Sequence, residues 1–532
     1  MSQYVSQIPW WRTALVRLTL ALLLGMAMAV FFPLTEDALL FWAKPTRCLT
    51  LLGAALGMVL LRKKMGILQT SPLLEMQGFC LLVLMAGFGY LRYNWVARVP
   101  SPSAQIEITT PPMAKKKGWQ ARGQMLGGGG IWLYLSQDPA LTGLGMGTVL
   151  VLTQLPRRIP PPKREAIESS GIERFPIAKS KTTLPNSFDF QRYAATQGIH
   201  YQANLRNNYR ILGHRPMPAT VLVLDKITQW VLANLKKFLP QAKDAGLAAA
   251  LFMGQKQGLD PELVKAYRAT GVLHVIAISG MHLALLAGGL QVMLRPLQRW
   301  RRGKFWVFGI SLIFVWGFAA LTGMGASVLR AALLLSLLSL ARLHHHRLGL
   351  AHATAGAAAL LLLWKPLWLL DIGCQLSFAA VLGIGILARP IENLLPLKNP
   401  LLQMAWQVSS ASFAAQVFTL PLLLFYFHQF PALFWLGNLL AVPLSGLLLY
   451  LICALLVLAF VSLWQLAEWV GRACEVLLHG LNAFLLRLSR LPFAVWETPA
   501  LSLGQVAALY VLLFALLWWQ HKKQTRLSGH GL

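Results

Sequence analysis

The segment "GVLHVIAISGMHLALLAGGL", residues 271–290, is apolar over almost its whole length, yet it contains His274, Ser279 and His282. About 20 consecutive apolar residues form a helix long enough to cross the ~30 Å hydrocarbon core of a bilayer. The sequence therefore predicts a membrane-spanning helix over residues 272–294. On one continuous helix, at about 100° per residue, Ser279 and His282 lie roughly 140° and 80° from His274, so the three side chains are expected to share a face.

The whole chain has the composition of a polytopic α-helical membrane protein. Of its 532 residues, 56% are hydrophobic and 12% are charged, and the mean hydropathy is +0.56. Soluble proteins carry about 25% charged residues. Apolar runs predict further spans at 13–32, 46–62, 73–91, 305–322, 326–343, 350–367, 371–388, 402–424, 432–460 (interrupted at Pro443), 462–486 and 501–519.

The basic residues predict how these spans are oriented. The chain has 48 Lys and Arg against 18 Asp and Glu, and the loop at 62–64 is entirely basic. Because basic loops stay in the cytoplasm, the N-terminus is predicted to be cytoplasmic and residues 92–225 to lie outside. Three later basic segments then also face the cytoplasm, namely 295–304, 342–347 and 521–526.

Residues 98–225 have a different character from the rest of the chain. Pro and Gly clusters separate short β-like runs such as "IWLYL" and "GTVLVLT", which predicts a small β domain. A five-stranded OB-type barrel fits this length, although another small barrel fits as well. The segment carries 16 basic and 7 acidic residues, hence 16 − 7 = +9.

A basic barrel outside the membrane suits a nucleic-acid backbone, with aromatic side chains available to stack on bases. The alternative is that the aromatic residues belong to the barrel core and the basic residues only face solvent. The predicted DNA contacts of this domain are Lys115, Lys116, Lys117, Trp119, Arg122, Arg157 and Arg158.

Polar residues within the predicted spans are the main candidates for function, because such residues are costly in lipid and usually face a bundle interior or a wet cavity. The candidates for a hydrophilic pathway are His274, Ser279, His282, Arg330, Gln375, Ser377, Gln416 and Asn438. Asp371 is predicted to be a structural partner of a cation. Gly280, Pro421 and Pro443 are predicted to break helices or to let them pack closely.

Other interpretations of the two histidines and the serine stay open. Eight residues separate His274 from His282, about 12 Å on a helix, which is too far to share one metal ion, so no metal or other cofactor is predicted. An intramembrane serine hydrolase requires Ser279 and a histidine within about 3 Å of each other. A purely structural role, with Ser279 and Gly280 at a close helix contact, is a third possibility.

Four ordered motifs resemble the competence domain of ComEC-type proteins, the inner-membrane DNA-uptake channels. They are "AALFMGQKQGLDPELVKAYRATGVLHVIAISGMHLALL" (249–286), "LTGMGASVLRAALL" (321–334), "DIGCQLSFAAVLGI" (371–384) and "AQVFTLPLLLFYFHQFPALFWLGNLLAVPLSGLL" (415–448). Residues 185–203 also resemble the end of the OB-like domain that precedes the competence domain in this family. The resemblance covers most of residues 98–460.

This resemblance implies a channel that passes single-stranded DNA into the cytoplasm during natural transformation, and not an enzyme. It implies a multi-pass protein of the bacterial inner membrane. The sequence shows neither an ATP-binding motif nor the H-x-H-x-D-H cluster of the metallo-β-lactamase-type domain that many members carry. The expected protein partners are a periplasmic DNA receptor, a cytoplasmic motor ATPase or helicase, single-stranded-DNA-binding proteins and a separate nuclease. Membrane lipid and a possible second copy of the chain are expected as well. The alternative to a DNA channel is a transporter of another anionic polymer or solute.

These observations divide the chain into five predicted parts. They are N-terminal transmembrane helices (1–97), an extracytoplasmic OB-like domain (98–225), amphipathic helices at the membrane surface (226–256), a competence-type transmembrane channel domain (257–460), and C-terminal transmembrane helices with a basic cytoplasmic tail (461–532).

Overall fold

A computed structural model of the chain describes residues 19–24, 26, 87, 103–110, 112–115, 118–126, 129–135, 144–159, 190–205, 209–255, 258–345, 348–499 and 501–529. Its contacts define two compact units. The first comprises Met1–Ala178, Phe188–Asp225 and Leu348–Gln375, and the second comprises Lys179–Ser187, Lys226–Arg347 and Leu376–Leu532. The predicted spans 13–32, 46–62 and 73–91 lie outside the described residues, apart from 19–24, 26 and 87, which are helical.

An eight-stranded sheet forms the β domain of the first unit. Its elements in chain order are β1 (Gln105–Ile108), β2 (Met113–Lys115), β3 (Gly118–Met125), β4 (Gly130–Leu135), β5 (Thr148–Leu152), β6 (Arg157–Arg158), helix α1 (Phe190–Thr196), β7 (Ile199–Leu205) and β8 (Tyr209–His214). In β4 and β5 every second residue is buried, as expected for strands with one face on a core. That core contains Ile106, Ile108, Ala121, Ile131, Leu133 and Leu150.

The sheet is curled, because one segment of chain pairs with both ends of it. The strand order is β6-β7-β4-β3-β1-β5-β8, with β2 paired to β3. β7 runs parallel to β4, while β8, which follows β7 directly, runs antiparallel to β5. Residues 199–214 thus connect the two ends of the sheet as the last strand of an OB-type barrel does. The predicted small OB-like β domain is confirmed.

A turn from later in the chain packs against this β domain. Residues Pro366–Leu370 form a 3₁₀ helix, and Trp368 within it is 5% exposed. Its indole N–H donates a hydrogen bond to the carbonyl oxygen of Thr196, at the end of α1, over 3.0 Å. The turn therefore belongs to the same compact unit as the β domain.

Helices make up nearly all of the remaining described chain. They are α2 (Ala219–Phe238), α3 (Ala242–Met253), α4 (Pro261–Ala269), α5 (Leu273–Ile276), α6 (Gly280–Met293), α7 (Gly303–Leu321), α8 (Ala326–Leu343), α9 (Leu350–Trp364), α10 (Ile372–Glu392), α11 (Pro400–Phe427), α12 (Phe434–Phe460), α13 (Trp464–Ser489) and α14 (Leu503–Gly529). Two short strands, β9 (Gln429–Pro431) and β10 (Val495–Glu497), pair with each other.

Among the described residues, five helices are long and apolar enough to cross a membrane, namely α7, α8, α10, α11 and α12. Shorter apolar stretches occur at Gly280–Met293, His352–Trp364 and Leu503–Leu517. Local signals set several helix starts, since Asp260 and Asn399 accept hydrogen bonds from backbone N–H groups at the first turns of α4 and α11. The prediction of a polytopic α-helical membrane protein with a small β domain is confirmed.

Three predictions about individual helices are wrong. Residues 432–460 are not interrupted at Pro443, because α12 continues through it, as membrane helices tolerate a proline when neighbouring groups satisfy the freed carbonyl. The span predicted at 462–486 coincides with α13, which is not among the five apolar helices and carries Glu468, Arg472 and Glu475. Finally, α3 does not lie along a surface, since it is buried from Asp244 onward except at Gly246.

The core of the second unit surrounds α3. Its alanines at 248–250 are at most 3% exposed and pack with residues of α6, α12 and α13. Beside this core, the hydroxyl of the fully buried Tyr267 on α4 donates a hydrogen bond to Oδ1 of Asn482 on α13, over 3.0 Å. Asn482 is itself 8% exposed, so this single bond joins two helices inside the core.

We expect Tyr267→Phe to destabilise the second unit by about 1–3 kcal/mol, because it leaves the buried Asn482 Oδ1 without its donor. Tyr450→Phe is the matched control. The Tyr450 hydroxyl donates to the carbonyl oxygen of Leu285, which lies within α6 and keeps its helical hydrogen bond. Thermal unfolding of both variants in detergent tests the difference, and equal losses for the two would contradict it.

Candidate functional site

The segment that carries His274, Ser279 and His282 is two helices and not one, so the predicted continuous span over 272–294 is wrong. α5 ends at Ile276 and α6 begins at Gly280, and between them Ala277 and Ser279 have extended backbones. Ser279 is the residue preceding α6, a position that serine favours because its backbone can leave the helical conformation there. The three polar residues therefore do not share one helical face.

The break gives each of the three residues a distinct position. His274 lies on α5 and is exposed, Ser279 lies in the break, and His282 lies in the first turn of α6 with 0% of its surface exposed. The backbone N–H of Ser279 lies 3.5 Å from Nδ1 of His282 and donates to it. This contact directs one side of the imidazole ring to the backbone of the break.

Helix α8 packs closely on the break. The hydroxyl of Ser327 donates a hydrogen bond to the carbonyl oxygen of Ile278 over 3.0 Å. A Cβ atom placed on Gly280 would lie 2.9 Å from both Cβ of Ala331 and Nη2 of Arg330. Gly280 is therefore a close-packing position, as predicted, and α8 supplies a partner for a carbonyl that lies outside any helix.

Arg330 is a buried cation at this contact, 6% exposed. Its Nη1 donates a hydrogen bond to the carbonyl oxygen of Ser377 on α10, and its guanidinium carbon lies 5.6 Å from the ring centre of Phe378. The structure thus brings together Arg330 and Ser377, two of the predicted residues. Ser377 contributes its backbone oxygen to this contact.

Four predicted pathway residues carry a buried polar atom that has no hydrogen-bond partner among the described residues. Buried polar atoms usually have a partner, so each such atom indicates a water or ligand position or a functional group. The atoms are Oγ of Ser279, Nε2 of His282, Nε2 of Gln416 and Oδ1 of Asn438.

Gln416 and Asn438 lie at helix contacts of their own. Gln416 is on α11, close in sequence to Ala414, whose backbone oxygen packs tightly on Gly383 of α10. Asn438 is on α12, and a Cβ on the preceding Gly437 would lie 2.6 Å from the carbonyl oxygen of Thr270. Pro421 lies inside α11 just as Pro443 lies inside α12, so neither proline breaks its helix.

Asp371 and Gln375 belong to the first unit. Oδ1 of Asp371 accepts a hydrogen bond from the backbone N–H of Cys374 over 2.7 Å, at the start of α10. The side-chain amide of Gln375 donates to the carbonyl oxygen of Leu369 over 2.7 Å. Asp371 was predicted to be a structural partner of a cation. Its partner in the described part of the chain is instead a backbone amide, because Asp371 precedes a helix whose first N–H groups need acceptors.

The outer face of the β domain carries a row of polar and aromatic side chains across four strands. Arg122 on β3 is paired with Trp132 on β4, Trp132 with Gln202 on β7, and Gln202 with Arg157 on β6. Residues paired directly across strands face the same side of a sheet. The Arg122 guanidinium lies 4.7 Å from the centre of the Trp132 ring, and burial lowers the pKa of Arg122 from its ordinary value.

A second row runs parallel to the first. Gln120, Tyr134 and Asn204 are paired across β3, β4 and β7, two positions along each strand and therefore on the same face. This face of an OB-type barrel, centred on its second and third strands, is the one that binds oligonucleotides in many proteins of this fold. Gln202 and the second row were missed in the sequence, although the alternation of "WQARGQM" in β3 already separates Gln120, Arg122 and Gln124 from their neighbours.

The predicted contacts of the β domain are distributed unevenly over it. Arg157 and Arg158 are exposed on β6, and Arg122 lies on the polar face. The prediction for Trp119 is wrong, because strand alternation turns it toward the core, against which it packs. Lys115 ends β2, and nothing is described of its side chain, while Lys116 and Lys117 lie outside the described residues.

Comparison with known proteins gives similarity to competence proteins. The family model for "Competence protein" matches residues 251–523, just over half of the chain. The chain is 30% identical over 302 residues to ComE operon protein 3 of Bacillus subtilis, covering 54% of this chain and 37% of that protein. It is 26% identical over 358 residues to Recombination protein 2 of Haemophilus influenzae, covering 64% of this chain and 42% of that protein.

A further relative is Competence protein ComA of Neisseria gonorrhoeae, 29% identical over 144 residues, which cover 26% of this chain and 21% of that protein. The matched regions thus span less than half the length of each of these relatives. No solved structure is significantly similar to the chain.

We expect Gly280→Ala to destabilise the second unit by about 1–3 kcal/mol, because the added methyl group enters the contact with Arg330 and Ala331. Gly288→Ala is the matched control on the same helix, since a Cβ there meets no atom within 4 Å. Its effect should be neutral or slightly stabilising, because alanine favours the helix. Thermal unfolding in detergent compares the two, and a similar loss in both variants would contradict the close-packing role of Gly280.

Proposed function

Because the chain belongs to the Competence protein family, we propose that it takes part in DNA uptake as a channel that transports single-stranded DNA across the bacterial inner membrane into the cytoplasm during natural transformation. Two of its relatives are named for competence, ComA of Neisseria gonorrhoeae and, through its operon, ComE operon protein 3 of Bacillus subtilis. The five apolar helices fit a multi-pass membrane protein.

The observation that carries this proposal is the buried cationic site at the helix break. The first turn of a helix bears partial positive charge on its free N–H groups, and Arg330 places a full positive charge within the same contact at Gly280. Oγ of Ser279 and Nε2 of His282 are buried beside it and are available for hydrogen bonding. A phosphate group is the ligand that such donors suit.

The β domain supports the same cargo. Its polar face combines guanidinium groups with amides and Tyr134, a set that binds a nucleic-acid backbone without reading its sequence. Trp132 is covered on one side by Arg122 and also packs against Ile159 and Ala194. We therefore assign the contacts with DNA to Arg157, Gln202 and the second row, with Trp132 as their support.

The packing of Trp368 supports the proposed orientation. Because the turn Pro366–Leu370 contacts α1 of the β domain, the turn and the domain lie on one side of the membrane. With alternating spans and the basic loops inside, we propose that both lie on the outer side of the membrane. On that side the β domain is accessible to incoming DNA.

The remaining partners follow from the proposed transport. A receptor outside the membrane delivers the strand, a separate nuclease removes its complement, and a cytoplasmic ATPase or helicase with single-stranded-DNA-binding proteins receives it. Membrane lipid surrounds the spans, and a second copy of the chain is a candidate partner.

We also propose that the chain is not an intramembrane serine hydrolase. A serine nucleophile requires its Oγ within hydrogen-bond reach of a base. Oγ of Ser279 lies in a capping-box arrangement with the backbone N–H of His282 and makes no hydrogen bond to a side-chain base among the described residues, and His282 receives the backbone N–H of Ser279 on Nδ1. DNA uptake that persists in Ser279→Ala supports this assignment, whereas covalent labelling of Ser279 in the purified chain by a serine-reactive fluorophosphonate would contradict it.

We expect Arg330→Ala and His282→Ala to abolish the entry of labelled DNA into the cytoplasm, while DNA binding outside the inner membrane persists, because each removes a donor from the buried site. Arg342→Ala is the matched control, since Arg342 lies at the other end of α8 and is exposed. The measurement is protected intracellular label in a deletion strain that carries each variant.

Normal uptake by Arg330→Ala and His282→Ala, at normal protein level, would contradict the pathway assignment. If a clean deletion of the gene leaves transformation unchanged, the alternative of another anionic polymer or solute is favoured instead.

For the β domain we expect Arg157→Ala to weaken single-stranded DNA binding by the purified full chain and to lower the salt dependence by about 0.7 in the slope of log K against log salt, because one phosphate contact is lost. Arg215→Ala removes the same charge on another part of the sheet, where Arg215 pairs with Glu107 over 3.0 Å. Fluorescence anisotropy with an oligothymidylate measures both. Equal effects of the two variants would show that only net charge matters.

A further inference from the structure

A cluster of metal-ligating side chains lies between α3 and α13, apart from the helix break. Asp244 on α3 and Glu475 and His479 on α13 each direct one ligand atom to a common point, and these three atoms lie within 4.8 Å of one another. Glu475 and His479 are four residues apart, so they project from the same face of α13. Two carboxylates and an imidazole are ligands of divalent transition metals.

Asp244 is the unusual member of this cluster, because its side chain is only 3% exposed. Its Oδ2 lies 2.8 Å from Nε2 of His479, an ion pair when that imidazole is protonated, and the oxygen makes no hydrogen bond of regular geometry among the described residues. An ionised carboxylate that is buried without such a partner is costly. A bound cation would remove that cost.

A fourth ligand atom is within reach. Oε1 of Gln241, the residue before α3, lies 3.2 Å from Nε2 of His479. Carboxylate, imidazole and amide ligands from two helices can therefore surround one ion. A tetrahedral ion with bonds of about 2.0–2.1 Å requires ligand atoms about 3.3 Å apart. The three ligand atoms lie within 4.8 Å of one another, so side chains must move by up to about 1.5 Å to close around an ion, and His479, whose side chain is 47% exposed, is free to make such a rotation.

The basic side chains next to the cluster are engaged elsewhere. Lys243 adjoins Asp244 in the chain, but its Nζ lies 2.6 Å from Oδ2 of Asp260. Arg472 precedes Glu475 by one helical turn and lies over the ring of Trp469, 6.0 Å from its centre. An acidic residue in the first turn also stabilises a helix by itself, yet that role does not explain why Oδ2 of Asp244 approaches α13.

We propose that Asp244, Glu475 and His479, with Gln241, form a binding site for one divalent transition-metal ion such as Zn²⁺. The ion joins α3, at the centre of the core, to α13 three residues before Asn482. This site is independent of the proposed DNA pathway, and it adds a metal-dependent link between two helices of the second unit.

The test is Zn²⁺ binding by the purified full chain after treatment with a chelator and dialysis, measured by mass spectrometry of the metal and by calorimetry. We expect one equivalent of Zn²⁺ and a rise of several degrees in the unfolding temperature when Zn²⁺ is added. His479→Ala and Glu475→Gln should each weaken binding at least tenfold and remove the rise. Because these two side chains are on the outer side of the cluster, both variants should fold even if Asp244→Asn does not.

Two control variants separate this site from other zinc ligands. Glu468→Gln removes an exposed carboxylate from the same helix, and His344→Ala removes a histidine from the loop that contains "HHH". Both should retain the equivalent of Zn²⁺ and the rise in unfolding temperature. Retention of the ion by His479→Ala and Glu475→Gln, or its loss in His344→Ala, would overturn the proposal, and so would the absence of binding by the unmodified chain.

Discussion

The close approach of α8 to the first turn of α6 is the contact on which the membrane unit depends. A chain that leaves the helical conformation inside a membrane exposes backbone N–H and carbonyl groups that lipid cannot satisfy. Here the hydroxyl of Ser327 donates a hydrogen bond to the carbonyl oxygen of Ile278. Because Gly280 has no side chain, Arg330 can lie against the break. The irregular backbone is therefore stabilised by α8, and glycine at residue 280 lets α8 come this close.

This constraint also explains why the buried polar side chains gather where they do. A broken helix creates a local need for hydrogen-bond partners, and the helices around it must supply polar groups at a depth where apolar residues would otherwise be favoured. Arg330 meets part of that need through the carbonyl of Ser377 on α10. Three helices are thus connected at one point by polar contacts, whereas α6 and α8 also share an apolar core.

Several features could be predicted from the sequence because they depend on local patterns. Apolar runs of sufficient length predicted the helices α7, α8, α10, α11 and α12, and turn residues between short alternating runs predicted the β domain. Arg330 was singled out because it is a charged residue within an apolar run, and Gly280 because glycine lets two helices pack closely. These signals need no knowledge of the partner helix.

Other features depended on contacts that no local pattern records. The break at 277–279 lies within an apolar run, and only the side chains of α8 make it favourable. Trp119 and Trp132 are both tryptophans in adjacent strands, yet pairing turns one to the core and the other to the polar face. The pairing of Asp244 with His479 joins residues 235 positions apart. The sequence of α13 shows that the helix is charged, but it does not show that Glu475 and His479 face Asp244 on α3.

The curled sheet has a consequence for how the protein is made. β4 and β5 each keep an unpaired edge until residues 199–214 arrive, because that segment supplies β7 and β8. The ribosome synthesises these strands after every other strand of the domain and directly before α2. The nascent β domain must therefore be kept from pairing with other chains until residues 199–214 have been synthesised, so its folding waits for its last two strands.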